Sequence, residues 1–157
     1  MTEDGGENPI KYGLDADFRG LTGEAGGSKF DLAKETIMSA QDIGNAFIGH
    51  YYTTFDGNRG ALASLYSDRS TLSFDKDTFQ GTQAILEKLS KLPSTQHRVD
   101  TTVIQPSVSD NAILIVVTGK LVIDGGNPLQ FAQTFQLVAH APAQFYIHND
   151  FFSLIYG

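Results

Sequence analysis

The stretch from Ile43 to Tyr66, IGNAFIGHYYTTFDGNRGALASLY, constrains the fold more than any other part of this chain. Ile43, Phe47, Tyr51 and Phe55 recur at steps of four, the pattern breaks at Asp56-Gly57-Asn58, and Leu62, Leu65 and Tyr66 resume it. Steps of four and three put side chains on one face of a helix, so the segment reads as two helices joined by a tight turn. Large rings need a deep groove or a curved sheet to bury them, so the surface that receives this face is expected to be broad and concave.

The helical character is expected to start earlier, near Asp31, because Phe30 to Met38 favours helix. Phe74 to Phe79 is short and polar between its aromatics and reads as a small strand or turn. A third helix opens at Gly81-Thr82, buries Ile85, Leu89 and Leu92, and stops at Pro93. Beyond Pro93 the pattern changes to strands. Arg98 to Gln105 alternates weakly, with Val99, Thr101 and Val103 on one face. Asn111 to Ile123 is the strongest strand, with Ile113, Ile115, Val117, Leu121 and Ile123 on one side and Leu114, Val116 and Val122 on the other. Asp124-Gly125-Gly126-Asn127-Pro128 is a turn, Leu129 to Val138 the next strand, and Phe145 to Tyr156 the last. Three helices followed by antiparallel strands make an α+β plan, with the helices on one face of a curled sheet. Helices cover one face only, yet the Asn111–Ile123 strand is apolar on both. The other face therefore needs a second copy of the chain, or the sheet closes into a small barrel.

Composition sets the outer limits. At 157 residues, 41% of them hydrophobic, the chain is long enough for one domain with a real core. No apolar run reaches the roughly 18 residues that a spanning helix needs, so no membrane insertion is expected. The N-terminus lacks a basic region followed by an apolar one, so no secretory signal is expected. With no cysteine in the sequence, disulfides, thiolate metal sites and cysteine nucleophiles drop out together. The net charge is −7. Glu3, Asp4, Glu7, Asp15, Asp17 and Glu24 against Lys11, Arg19 and Lys29 give −3 of that within the first thirty residues. Such a balance argues against a nucleic-acid partner, which calls for a basic stripe; an acidic rim facing a basic partner is the sharper alternative to plain solubility. Residues 1–30, Gly-rich and acidic, read as a flexible tail, and 31–157 as the folded domain.

Several short pieces occur in an order that resembles the nuclear transport factor 2 family. They are His50-Tyr51-Tyr52, Phe55-Asp56, Asn58-Arg59, Leu65-Tyr66, Phe79-Gln80-Gly81, Ile85 to Leu89 and Leu92-Pro93. Gln96-His97, Gln105-Pro106, Gly119-Lys120-Leu121, Asp124, Asn127-Pro128 and Asn149-Asp150-Phe151-Phe152 continue it, so the resemblance covers about 43–156. It implies a cone-shaped fold, three helices packed on a strongly curved antiparallel sheet, and a homodimer formed through the outer sheet faces. It also implies a nuclear import factor of cytoplasm, nucleus and pore. Such a factor binds the GDP form of the GTPase Ran and makes weak contacts with Phe-Gly repeat nucleoporins.

The resemblance carries a site over residue by residue. Phe74 and Asp75 match an aromatic-acidic pair at the mouth of the cone's apolar cavity, where the usual aromatic is Trp. Asp124 matches the first acid after the long strand, with Gly125 and Gly126 thinning the acidic patch. Leu92, Leu121, Ile123 and Phe152 match cavity-wall positions. The family's aromatic near the start of the first helix is Ala40 here, an Arg common near the end is Ser153, and the loop after Pro93 is about two residues shorter.

Dehydratases and isomerases share this fold class, so catalysis has to be weighed. No metal spacing such as HExxH and no phosphate loop with lysine is present. His148 and Asp150, two apart on a strand, should share a face and could form a dyad. No set of nucleophile, base and oxyanion donor is legible, so the expectation is a non-enzyme without cofactor or metal. A scaffold or mRNA-export partner that pairs with a larger chain is the remaining alternative.

Overall fold

The computed structural model describes residues 39–142 and 144–156. The expected tail and the expected helix start near Asp31 lie outside these residues. Helix α1 (Ala40–Gly57) opens on a capping box. Ser39 Oγ accepts the Asp42 N–H at 3.1 Å, and the Asp42 carboxylate accepts the Ser39 N–H in return, which satisfies two of the donors that every helix start leaves unpaired.

Where the sequence suggests a second helix, the chain forms a 3-10 helix at Arg59–Leu65. It then turns extended at Tyr66, the first residue of β1 (Tyr66–Phe74). Seven residues are short for an α-helix, and Leu62 and Leu65, three apart, suit the 3-10 repeat. Strand β1 itself is absent from the sequence reading. Its Ser67-Asp68-Arg69 run has no apolar alternation, and a register shift between Tyr66 and Thr71 erases the period. Strand β2 (Asp77–Gln80), helix α2 (Thr82–Ser90), β3 (Thr95–Pro106), β4 (Ala112–Ile123), β5 (Leu129–Ala141) and β6 (Gln144–Ile155) follow.

The six strands form one open sheet in the order β2-β1-β6-β5-β4-β3. The α+β class is as expected, but the sheet is mixed, because β1 runs parallel to β6 while every other pair is antiparallel. The ladders carry register shifts at Tyr66/Thr71, Val99/Thr101, Gln136/Leu137 and Ala139/Ala141, and such bulges bend and twist the strands that hold them. Two of them also overturn face assignments. Val99 stands opposite Gly119, whereas Thr101 and Val103 stand opposite Thr118 and Val116; with the shift between them, the three do not share one face.

The helices cover the face that carries Ile113, Ile115, Val117 and Leu121, all buried. The α1 aromatics meet β5 edge-on: Phe47 and Tyr51 lie 5.0 and 4.8 Å from Phe135, ring centre to ring centre. This packing is the concave reception that the aromatic spacing called for. Two glycines set the closest approaches. A Cβ at Gly44 would come within 2.7 Å of Ile104, where α1 crosses β3, and one at Gly119 would sit 2.1 Å from the Arg98 carbonyl oxygen.

Candidate functional site

The helices do not fill the end of the sheet. An apolar cavity of about 430 Å³, counting its open mouth, lies between α1, α2 and the sheet. Its walls include Phe55, Leu72, Phe74, Leu89, Leu92, Leu121, Ile123 and Phe152, with Tyr51, Thr95, His97 and Gln133 as the polar members of its lining. Of the seven residues singled out from the sequence, the structure brings five (Phe74, Leu92, Leu121, Ile123 and Phe152) into this one lining.

The two acids flank it. Asp75 is exposed, its N–H donates to the Phe152 carbonyl at 2.8 Å, and its Oδ1 accepts the Leu154 N–H at 3.1 Å. Asp124 is exposed too, and its N–H donates to the Ser94 carbonyl at 2.9 Å, between the lining residues Pro93 and Thr95. Both have positive φ, 52° and 49°. That conformation is disfavoured for residues with a side chain, Asp and Asn being among the least penalised. The backbone therefore turns sharply at each acid.

Two polar hubs hold the wall between α2 and β3 in place. Arg59 donates to the carbonyls of Leu89 (3.0 Å), Leu92 (2.7 Å) and Pro93 (2.9 Å), while its guanidinium lies over the Phe55 ring. Leu92 and Pro93 lie just past the end of α2, and the Leu89 carbonyl also accepts the Leu92 N–H at 3.1 Å. Asp56 accepts from Thr95 Oγ1 (2.9 Å), the His97 N–H (2.8 Å) and His97 Nδ1 (2.7 Å). Burial lowers the His97 pKa, and the bond to Asp56 opposes that shift. The ring packs within 5.4 Å of Tyr52, Phe55 and Phe131.

Behind the cavity floor sits the carboxylate that the sequence reading weighed as a partner for His148. Asp150 is fully buried. Its Oδ1 accepts Gln133 Nε2 at 2.8 Å, and its Oδ2 accepts Tyr66 Oη at 2.7 Å and Tyr51 Oη at 3.4 Å. Gln133 in turn accepts Tyr52 Oη at 2.8 Å. Burial pushes Asp150 up to about 6, against the hydrogen bonds from Gln133, Tyr66 and Tyr51, which hold it down. Burial also raises all three tyrosines, so they stay protonated and serve as donors.

The His148–Asp150 dyad that the spacing allowed does not form. The β5 ladder passes from Gln136 opposite Asn149 to Leu137 opposite Ile147, leaving His148 in the bulge. Ile147 and Asp150 are both fully buried, while His148 bonds Tyr146 Oη at 2.9 Å. With its acceptor sites taken by internal donors and no place in the cavity lining, Asp150 works as a structural knot. Among the described residues no group of three or more metal-ligating side chains occurs.

Known proteins share this sequence pattern and fold. Residues 43–154 match the family model of the nuclear transport factor 2 (NTF2) domain. Nuclear transport factor 2 of Emericella nidulans is 45% identical over 120 residues, covering 74% of this chain and 96% of that protein. The Oryza sativa subsp. japonica protein of the same name is 45% identical over 123 residues, 76% of this chain and 100% of that one. The solved structure of nuclear transport factor 2 from Cryptosporidium parvum superposes with a TM-score of 0.70 at 36% identity, covering 74% and 94% of the two chains.

Proposed function

Because the chain belongs to the nuclear transport factor 2 family, we propose that it is a nuclear transport factor that binds Ran in its GDP form and carries it through nuclear pores. The observation that supports this reading best is the cavity: an apolar, open-mouthed hole flanked by the exposed carboxylates Asp75 and Asp124. An aromatic side chain of the partner enters and is desolvated there, supplying most of the affinity. Basic groups beside it meet the acidic rim, which raises the on-rate and rejects acidic competitors. Leu92, Leu121, Ile123 and Phe152 are the walls, and Phe74 is the outer one. Nothing in this process needs catalysis; the saturated Asp150 network supports a non-enzymatic reading. Titration of purified Ran, loaded with GDP or with GTP, is the test.

The working form in this proposal is a homodimer. On the sheet face away from the helices, the register lines up Val103, Val116, Thr134 and Phe151 in one row across four strands. Val103 is 54% exposed, Val116 42% and Phe151 52%. The rows on either side, Gln105-Leu114-Gln136-Asn149 and Thr101-Thr118-Ala132-Ser153, contain no charged residue. Three uncharged rows with an exposed apolar centre suit a self-complementary contact. Val116→Asp should raise the dimer dissociation constant by about thirtyfold, the order expected for an unpaired charge at an apolar contact. Sedimentation of wild type and variant across a dilution series reads it; an unchanged constant removes this face as the interface.

Passage through the pore uses weak contacts with Phe-Gly repeats in this reading. Ala40, at the position where the family often carries an aromatic, is a buried residue at the first turn of α1, so the repeat contacts draw on another part of the surface.

A further inference from the structure

We propose that Lys88 is a positioning residue for cavity binding, its ammonium holding the Phe74 ring as the outer wall. This rests on the reading of the cavity as a socket for a partner's aromatic side chain. Lys88 lies in the last turn of α2, where a cation also suits the helix dipole. Its Nζ sits 4.8 Å from the centre of the Phe74 ring and 5.7 Å from that of Phe79, both within cation–π range. Phe74 stacks on Phe152 at 4.6 Å and 19°, and Phe152 lies 5.8 Å from Phe131 at the same angle. A line of contacts therefore runs from a charged group at the surface to the buried core, and Phe74 is its half-buried member. Among the described residues Lys88 has no ion-pair partner; the neighbouring acid on α2, Glu87, is taken by Lys91 at 3.4 Å.

The sign of one substitution separates two roles. If Lys88 were only a positive charge beside an acidic rim, Lys88→Met would make the rim more acidic and tighten binding of a basic partner. If it positions Phe74, the same change loosens the wall and weakens binding despite the better overall charge. The expected result is a two- to fivefold loss of affinity for Ran·GDP, about what an exposed cation–π contact supplies. Lys88→Arg, which keeps a cation over the ring, should restore affinity to near wild type. The partner-free protein supplies a second readout: Phe74 ring-proton resonances shift in Lys88→Met and stay close to wild type in Lys88→Arg. Unchanged or tighter binding in Lys88→Met overturns the proposal, as do ring resonances that ignore the substitution. If wild type itself fails to bind Ran, the partner reading falls while the ring resonances still decide the role of Lys88.

Discussion

Asp150→Ala should lower folding stability by about 3 kcal/mol near pH 7. Alanine leaves the Gln133 amide and the Tyr66 and Tyr51 hydroxyls without the acceptor they share, and an orphaned buried donor costs about 1–3 kcal/mol. Two effects limit the total. Tyr51 and Tyr66 already lie 3.1 Å apart, Oη to Oη, and can bond each other; and the desolvation of a buried carboxylate disappears with the residue.

That desolvation gives the network a pH signature. In the fold burial raises Asp150 to about 6 from the ordinary aspartate value of 3.8, so between these limits the folded state holds a proton that the unfolded state has released. Stability from this group is fully present below pH 4 and is lost as pH rises through 6. The amount is about 3 kcal/mol if the whole shift is expressed. Asp150→Asn does not titrate, so the wild-type-minus-variant difference in unfolding free energy should fall between pH 4 and 6 and then level off. A constant offset comes on top, because the NH2 that replaces one carboxylate oxygen cannot accept the hydrogen bond made there. Urea unfolding of both proteins across that range measures the difference; parallel curves would show that Asp150 is not the buried, shifted carboxylate described above.

Asp75→Lys should weaken Ran·GDP binding by about 100-fold, or roughly 2.7 kcal/mol, while the fold persists. The side chain is exposed at the mouth, where reversing a charge both removes an attraction and repels basic groups on the partner. Some stability is lost as well, on the order of 1 kcal/mol, because Lys is less at ease at φ 52° than Asp and cannot accept the Leu154 N–H. Asp75→Asn separates these effects, since it keeps the acceptor and tolerates the backbone while removing the charge, and its binding loss should be about tenfold. Wild-type affinity in Asp75→Lys would take Asp75 out of the site.

The parts of the fold that the sequence announces are those where one periodicity runs unbroken. Helix α1 and strand β4 are of this kind: Ile43-Phe47-Tyr51-Phe55 and Ile113-Ile115-Val117 are all buried on the side that the spacing indicates. Strand β1 is not legible, because its middle is polar and its ladder slips, and with it went Leu72 as a cavity wall. The parallel pairing of β1 with β6 joins strands from the two ends of the domain, a long-range fact that no local pattern encodes. In β6, Phe145, Tyr146, Ile147, Phe151 and Phe152 make both phases look apolar, so the bulge at His148 leaves no mark, and the shared face read for His148 and Asp150 is the part that fails. A signal for the buried network was present nonetheless. Gln133 falls in phase with Phe131, Phe135 and Leu137, a polar residue on a face otherwise buried and apolar, and such a residue needs a buried partner. The site was legible only through the ordered family motifs. Phe74 ends β1, Leu92 follows α2, Leu121 and Ile123 share one side of β4 and Phe152 lies on β6, and only the fold gathers these four places.

The most direct test of the central claim is a titration of the purified chain with Ran·GDP and, separately, with Ran·GTP. The account expects saturable binding of Ran·GDP that weakens with added salt, because rim charges contribute, and binding of Ran·GTP at least tenfold weaker, a difference of about 1.4 kcal/mol. Equal affinity for the two forms, or no binding of either, would contradict it.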